Sequence, residues 1–487
     1  MDVNLEDIKK WNVPIERLAG AYGLETYPQE FGLCDAEEML SYMVYSGMPS
    51  HYPHWSYGKG FEKLKTLYDY GLSGLPYEMV INSDPCLAYL MRENSLALQV
   101  LTMAHVYGHN DFFKNNDTFA STRANMTIER FKSHANRIRS YIADASIGLE
   151  KVEAVLDAAH AISLQCRRNL IIKKTSRKEE EEMVLDSALP REDGFRNIHK
   201  KQEYTAPDLT RVPLKPAEDV LIFVRDYNRD LQDWERDVLT IVHEQAQYFI
   251  PQIDTKIMNE GWASFWHKTI LETLNLPQAI HLEFIVRHTQ VLCPTPGGLN
   301  PYFVGFGTWH DIVHRYDEAY IGKICEKHDE MYERNGRAGD LGKKTGLQKI
   351  FEVRGWGRDS SFLDNFLTEE LVRDFNLFEY QHKGQDMVVS EVASEDGWRK
   401  VKKTLVQNVG TGTIPVIKVE DANYRNNRIL FLKHSHDGRD LQLEYAEKTL
   451  GYIKQLWGRG VSMETIVNGK ATLCSVGDDN KLKISEI

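Results

Sequence analysis

The sequence predicts a mainly α protein, with helical N-terminal and central regions forming one large unit and a smaller α+β domain closing the chain. Three observations lead there. Apolar residues recur at three- and four-residue spacing over most of the stretch from Leu5 to about Tyr380. Beyond that point the texture changes to short β-rich runs separated by Gly, Asp and Asn. The 487 residues are 42% hydrophobic and 27% charged, which suits a folded chain with a sizeable core.

Taken in order, residues 1–172 read as packed helices, as in "DAEEMLSYMVYSG", "GFEKLKTLYDYG" and the long run from Met126 to Cys166. Residues 173–219 are charged, contain prolines and show little period, which fits a linker or a surface excursion. Helical patterning resumes over 220–380, including "RDVLTIVHEQAQYFIPQIDTKIMNEGWASFWHKTILETL". In 381–487 the runs "DMVVSEV", "VKKTLVQN", "IPVIKVEDA" and "RILFLKHS" read as strands, and "LQLEYAEKTLGYIKQLWG" as a helix.

Composition excludes several classes. No window approaches eighteen consecutive apolar residues, so no membrane span is expected. The N-terminus "MDVNLEDIKKWNVPIERL" is acidic and amphipathic, unlike a signal peptide, and the expected location is the cytoplasm. The six cysteines form no CxxC pair, so any metal here has His and carboxylate ligands. A formal charge of −12 argues against non-specific nucleic-acid binding.

Among 17 histidines, "AHVYGHNDFFKNN" (104–116) sets His105 and His109 four residues apart, on one face of a helix. The helix is apolar, so both imidazoles are expected to be buried and to need partners. Gly108 leaves room for a close approach. A second pair, His310/His314, is flanked by charges and reads as a solvated face. In "KIMNEGWASFWH" (256–267), Glu260 lies beside Gly261 on an apolar helix, with Ser264 and His267 on the same face. A lone glutamate there is costly to bury unless paired or ligated. Two histidines on one helix and a glutamate on another make a catalytic-type zinc site with one position left for water. Zinc peptidases of this kind carry a glutamate base directly after the first histidine; here that place is Val106. "HEQAQ" (243–247) has Gln247 where a second zinc ligand would stand. "HSHDGRD" (434–440) reads as turn chemistry.

Over nearly its whole length the chain resembles the SpoVR family, named for stage V sporulation protein R. The likeness rests on "GMPSHYPHWSYGKGFEKLKTLYDYGLSGLPYEMVINSDPCLAYLMREN", "HVYGHNDFFKNN", "KIMNEGWASFWH", "GLNPYFVGFG", "RDSSFLDNFLTEEL" and "HSHDGRDLQLEYAEKTLGYIKQLWG". It maps the family's histidine pair onto His105 and His109, and its Asn-Glu-Gly-Trp-Ala onto Asn259 to Ala263. The resemblance implies a role in spore cortex, peptidoglycan or cell-envelope processes, or in stress. It also implies a serine protein kinase and a von Willebrand type A domain protein as partners.

Two expectations follow. In the first, the protein is a metal-dependent hydrolase of an amide bond in a peptide or peptidoglycan-related substrate. His105, His109 and Glu260 hold Zn²⁺, although Fe, Mn or Co suits the same donors. Glu78, Glu93, Asp111 and His267 are the candidate acid–base groups. His54, Trp55, Asn82, Asn115 and Asn259 are the candidate substrate-binding residues. In the second, the protein is a scaffold or regulator whose ligands hold a structural metal, or form only a buried hydrogen-bond network.

Overall fold

The computed structural model describes residues 4–72, 74–168, 175–189, 206–294, 298–317, 345–377, 380–383, 386–389, 397–477 and 479–487. Seventeen α-helices and ten strands lie among these residues, so the fold is mainly α with a smaller α+β part at the C-terminal end. Two compact units are formed, Met1–Arg139 with Tyr248–Thr413, and Ser140–Gln247 with Ile414–Ile487. Within the charged stretch 173–219, Arg177–Ala188 is helical, while 173–174 and 190–205 fall outside the described residues. The end of the "DMVVSEV" run, 390–392, also falls outside them.

The first unit contains a three-stranded sheet in a region whose pattern reads as mostly helical. Glu78–Ile81 pairs antiparallel with Cys86–Met91, and Gln29–Cys34 pairs parallel on the other side of that central strand. These strands are four to six residues long, too short for periodicity to separate strand from helix. The sheet sets Glu78 at the start of its strand.

Three helices form the centre of this unit. Leu96–Asn115, the histidine helix, is started by Ser95, whose side chain accepts the Leu98 N–H. It is buried almost all round, and its apolar residues are spread over every face. Lys256–Thr273, the glutamate helix, packs against it on one side and against Pro301–Tyr316, the tyrosine helix, on the other. Small residues make these contacts close. A Cβ added to Gly108 would stand 2.6 Å from the Cα of Ala263, and one on Gly261 would stand 2.3 Å from the carbonyl carbon of Gly305. Only glycine allows backbones this near, and the approach brings Glu260 to the two histidines.

"VKKTLVQN" is not a strand. It belongs to the helix Gly397–Asn408, because Trp398, Val401 and Leu405 fall on one face and pack on the core of the first unit.

The second unit carries a five-stranded sheet. Leu482–Glu486, Lys470–Val476, Val461–Val467, Ile429–His434 and Ile417–Tyr424 lie side by side in that order. Ile429–His434 and Val461–Val467 are parallel, and the helix Leu443–Trp457 makes the crossover that such a pair needs. The helix Leu149–Ala161 packs on this crossover helix, and Val220–Tyr227 packs on the first sheet strand of the unit.

Candidate metal centre

His105 and His109 lie one turn apart and turn their Nε2 atoms toward the same oxygen. Glu260 Oε2 is 3.6 Å from Nε2 of His105 and 3.5 Å from Nε2 of His109. That oxygen is sealed from solvent and has no hydrogen-bond partner. Glu78 adds a second carboxylate, with Oε1 4.0 Å from His105 Nε2. Ligand atoms of Glu78, His105 and His109 all lie within 4.8 Å of one another.

The remaining ring nitrogens decide which atoms face inward. Nδ1 of His109 is 2.9 Å from Oδ1 of Asn259, an acceptor, so Nδ1 carries the proton and Nε2 a lone pair. Nδ1 of His105 is 2.9 Å from Nδ1 of His267, and Nε2 of His267 is 2.7 Å from Nδ1 of His288. If His105 also presents a lone pair inward, the chain has one neutral solution. His105 donates to His267, and His267 donates to the half-buried His288.

Burial favours the neutral form of His109, His267 and His288. Burial, aided by the neighbouring His105, pulls His109 down to about 4, and Glu260 opposes this. Burial likewise holds His267 well below the ordinary histidine value. His288 falls to about 4 through burial and Lys268. Burial pushes against ionisation of Glu260, but His105, His109 and Lys256 together hold its carboxyl below the usual value. Glu78 goes the other way, raised to about 7 by burial and Glu260 against the pull of His105.

The donor set fits a divalent cation. Without positive charge, two imidazole lone pairs and a carboxylate oxygen would converge within 3.6 Å with nothing between them. Ligands about 2.0–2.1 Å from a tetrahedral zinc stand about 3.4 Å apart, close to the observed separations. Asn259 and His267 supply the outer hydrogen bonds that orient ligating histidines in such sites.

Other anticipated residues have other partners. Asp111 accepts the backbone N–H of Glu25, Nε1 of Trp262 and a guanidinium N–H of Arg354, so its carboxylate is spent inside the core. Asn115 donates to the carbonyls of Glu25 and Asp111. Asn82 donates its side-chain amide to Thr122 Oγ1, and its backbone carbonyl accepts the Tyr248 hydroxyl. His54 caps the helix Trp55–Asp69 through Ser56, and Trp55 is exposed. Glu93 is exposed in the turn before the histidine helix. The structure thus gathers His105, His109, Glu260, Glu78, His267 and Asn259 and leaves the other six elsewhere. His310 and His314 lie on an exposed face, and His243 bonds Asp219 at 2.7 Å.

Two residues of the centre were missed. Tyr302 stacks on His105, with ring centroids 6.0 Å apart, and nearby Glu260 followed by burial pushes its hydroxyl far up. "LNPY" signals a helix start, with Asn300 as cap and Pro301 in the first turn, but says nothing of what Tyr302 faces. His288 sits in the helix Gln278–Val291 with no local mark to set it apart. A cavity of about 210 Å³ adjoins Glu78, His105, His267 and Tyr302.

A mainly helical unit built round a buried cluster of two histidines and two carboxylates is therefore the class that fold and site define. The chain belongs to the SpoVR family. It matches the SpoVR like protein family over residues 2–414 and the SpoVR-like C-terminal domain over 415–468. It is 33% identical over 475 residues to YcgB of Escherichia coli (strain K12), a protein described as uncharacterized, covering 92% of this chain and 90% of that one. No solved structure matches the chain. No described helix is long and apolar enough to cross a membrane.

Proposed function

We propose that His105, His109 and Glu260 bind a divalent transition metal, zinc first, and that the protein hydrolyses an amide bond with it. The observation that carries this reading is the sealed, unpartnered Oε2 of Glu260 between two Nε2 atoms. A cation held there supplies Lewis-acid polarisation of a carbonyl and acidifies water. Glu78 takes the place of the base that Val106 cannot be, since its carboxylate reaches the same centre from the sheet. Tyr302, whose hydroxyl bonds Glu260, is the nearest hydroxyl donor to a developing oxyanion, and Asn259, His267 and His288 keep the ligand lone pairs inward. We assign the activity to a spore cortex or cell-envelope process, with a serine protein kinase and a von Willebrand type A domain protein as partners, on the strength of the family resemblance.

One observation favours a second reading. Glu78 is near enough to act as a fourth protein ligand, which would close the site and make the metal structural. Elemental analysis of the purified full chain tests both. In the hydrolase reading Glu260→Gln and the His105→Ala, His109→Ala pair lose metal and stay folded by circular dichroism, while Glu78→Gln keeps metal and loses hydrolysis of peptide amides. Loss of metal in Glu78→Gln supports the structural reading. A wild-type chain that takes up no metal when resupplied rejects both.

A further inference from the structure

The cavity beside the centre has a chemical character that the metal reading does not use. Its volume of about 210 Å³ is below the roughly 300–1,000 Å³ of sites that enclose a whole drug-sized ligand. At about 30 Å³ for a water-sized group, it holds about seven. It therefore suits one arm of a substrate whose remainder lies outside. Leu75, Pro76, Leu101 and Val291 line it together with Tyr77. Leu101 is 3% exposed, a core residue with no polar alternative to offer. Glu78, His105, His267 and Tyr302 also line it, and His105 and Tyr302 are neighbours of Glu260.

Charge narrows the occupant. No Lys or Arg lines the cavity, so apart from the metal, which the reacting carbonyl engages, an anionic arm would find no counter-charge and would meet the carboxylate of Glu78. An ammonium arm would face Glu78, but it would also meet the metal's positive charge and would leave water for a mainly apolar lining. Building on the metal reading above, we infer that the cavity receives an uncharged aliphatic arm of about four to six carbons, placed next to the carbonyl that the centre acts on. The substrate class is then an amide flanked by a small aliphatic side chain or acyl group.

Alkyl hydroxamates test this, because the head group binds the metal and the chain probes the cavity. Affinities are measured by calorimetry on the zinc-supplied full chain, with acetohydroxamate, butyrohydroxamate, hexanohydroxamate and decanohydroxamate as probes and metal content determined on the same samples. Each methylene that enters the cavity should tighten binding about fourfold, and the gain should end by about six carbons. Val291→Phe should weaken hexanohydroxamate about tenfold or more and move acetohydroxamate less than about twofold, with metal retained. Leu101→Phe is the parallel variant in case Val291→Phe disturbs its helix. Metal present with a flat chain-length series overturns this inference alone, as does succinomonohydroxamate or an ω-amino analogue binding as tightly as the alkyl chain of equal length. No metal and no acetohydroxamate binding overturn the metal reading and this inference together.

Discussion

His105 and His109 each have one ring nitrogen held by a neighbour and one aimed at Glu260, so the geometry of the proposed centre depends on residues outside it. His267 is the most exacting of these, being fully buried and bonded at both ring nitrogens. His267→Ala is expected to lower zinc affinity about 10–100-fold, and His267→Gln, whose amide both donates and accepts, should recover part of it, as read by competition with a chromophoric chelator. A pH effect belongs to Asp359, which is 1% exposed and caps the glutamate helix by accepting the N–H groups of Ile257 and Met258. Burial raises its carboxyl to about 8 against those two bonds, far above the ordinary 3.8. The folded state therefore holds this proton more tightly than the unfolded chain. The stability it contributes is complete below about pH 3.8 and is lost as pH rises through about 8. Against Asp359→Asn, wild type should lose at least about 2 kcal/mol between pH 4 and 8 in urea unfolding, and a pH-independent difference would show that burial does not dominate here. His105, His109 and Glu260 could be named from sequence because helical spacing and an isolated acid on an apolar face are local signals. The neighbourhood of Glu78, Tyr302 and His288 could not, since each arrives from another element. Asp111, in line with the histidines along the chain, turns to Arg354, a partner 243 residues away.

Between elements, the packing of the histidine helix on the glutamate helix fixes the distance from Glu260 to both rings. Gly108 is the point of closest approach, and two effects compete in Gly108→Ala. The helix gains about 1 kcal/mol of propensity. The new Cβ, 2.6 Å from Ala263 Cα, costs about 1–3 kcal/mol because it meets backbone, which cannot swing aside. The clash should win, so the variant is expected to be less stable in denaturant titration. It should also bind zinc more weakly, because the helices must separate and carry Glu260 away from the histidines. Equal stability and unchanged affinity would mean that the helices slide freely and that Gly108 has no bearing on the centre. The sequence revealed that something approaches at Gly108, but not that it is the backbone of Ala263. The same limit explains "VKKTLVQN", whose β-branched content suggested a strand until Trp398 supplied the start of an apolar helical face that needs the first unit's core opposite it.

At the level of the molecule, the boundary at 413/414 is seen twice. The second unit regains the chain at Ile414, and the SpoVR-like C-terminal domain match begins at 415. The sequence reading placed an α+β domain at the end of the chain, yet nothing local in it shows that 140–247 completes that domain's core. Arg168 donates to the carbonyls of Ile414 and Pro415, and Asn228 to that of Leu456. Ala217 and Val419 exchange both backbone hydrogen bonds. The rings of Phe223 and Trp457 lie 6.2 Å apart. Both rings are buried, and uncovering such a side chain costs about 1.5–3 kcal/mol. Trp457 stays in a fragment of residues 414–487 while Phe223 does not, so this one exposure, added to the lost hydrogen bonds, removes a sizeable share of the roughly 5–15 kcal/mol that holds a domain together. A fragment of residues 414–487 made alone is therefore expected to lack a cooperative thermal transition. Co-expression with residues 140–247 should restore the transition and yield a complex that survives gel filtration. A fragment that melts cooperatively by itself would show that the sheet and its crossover helix close their own core, and that 140–247 is a covering added to a finished domain.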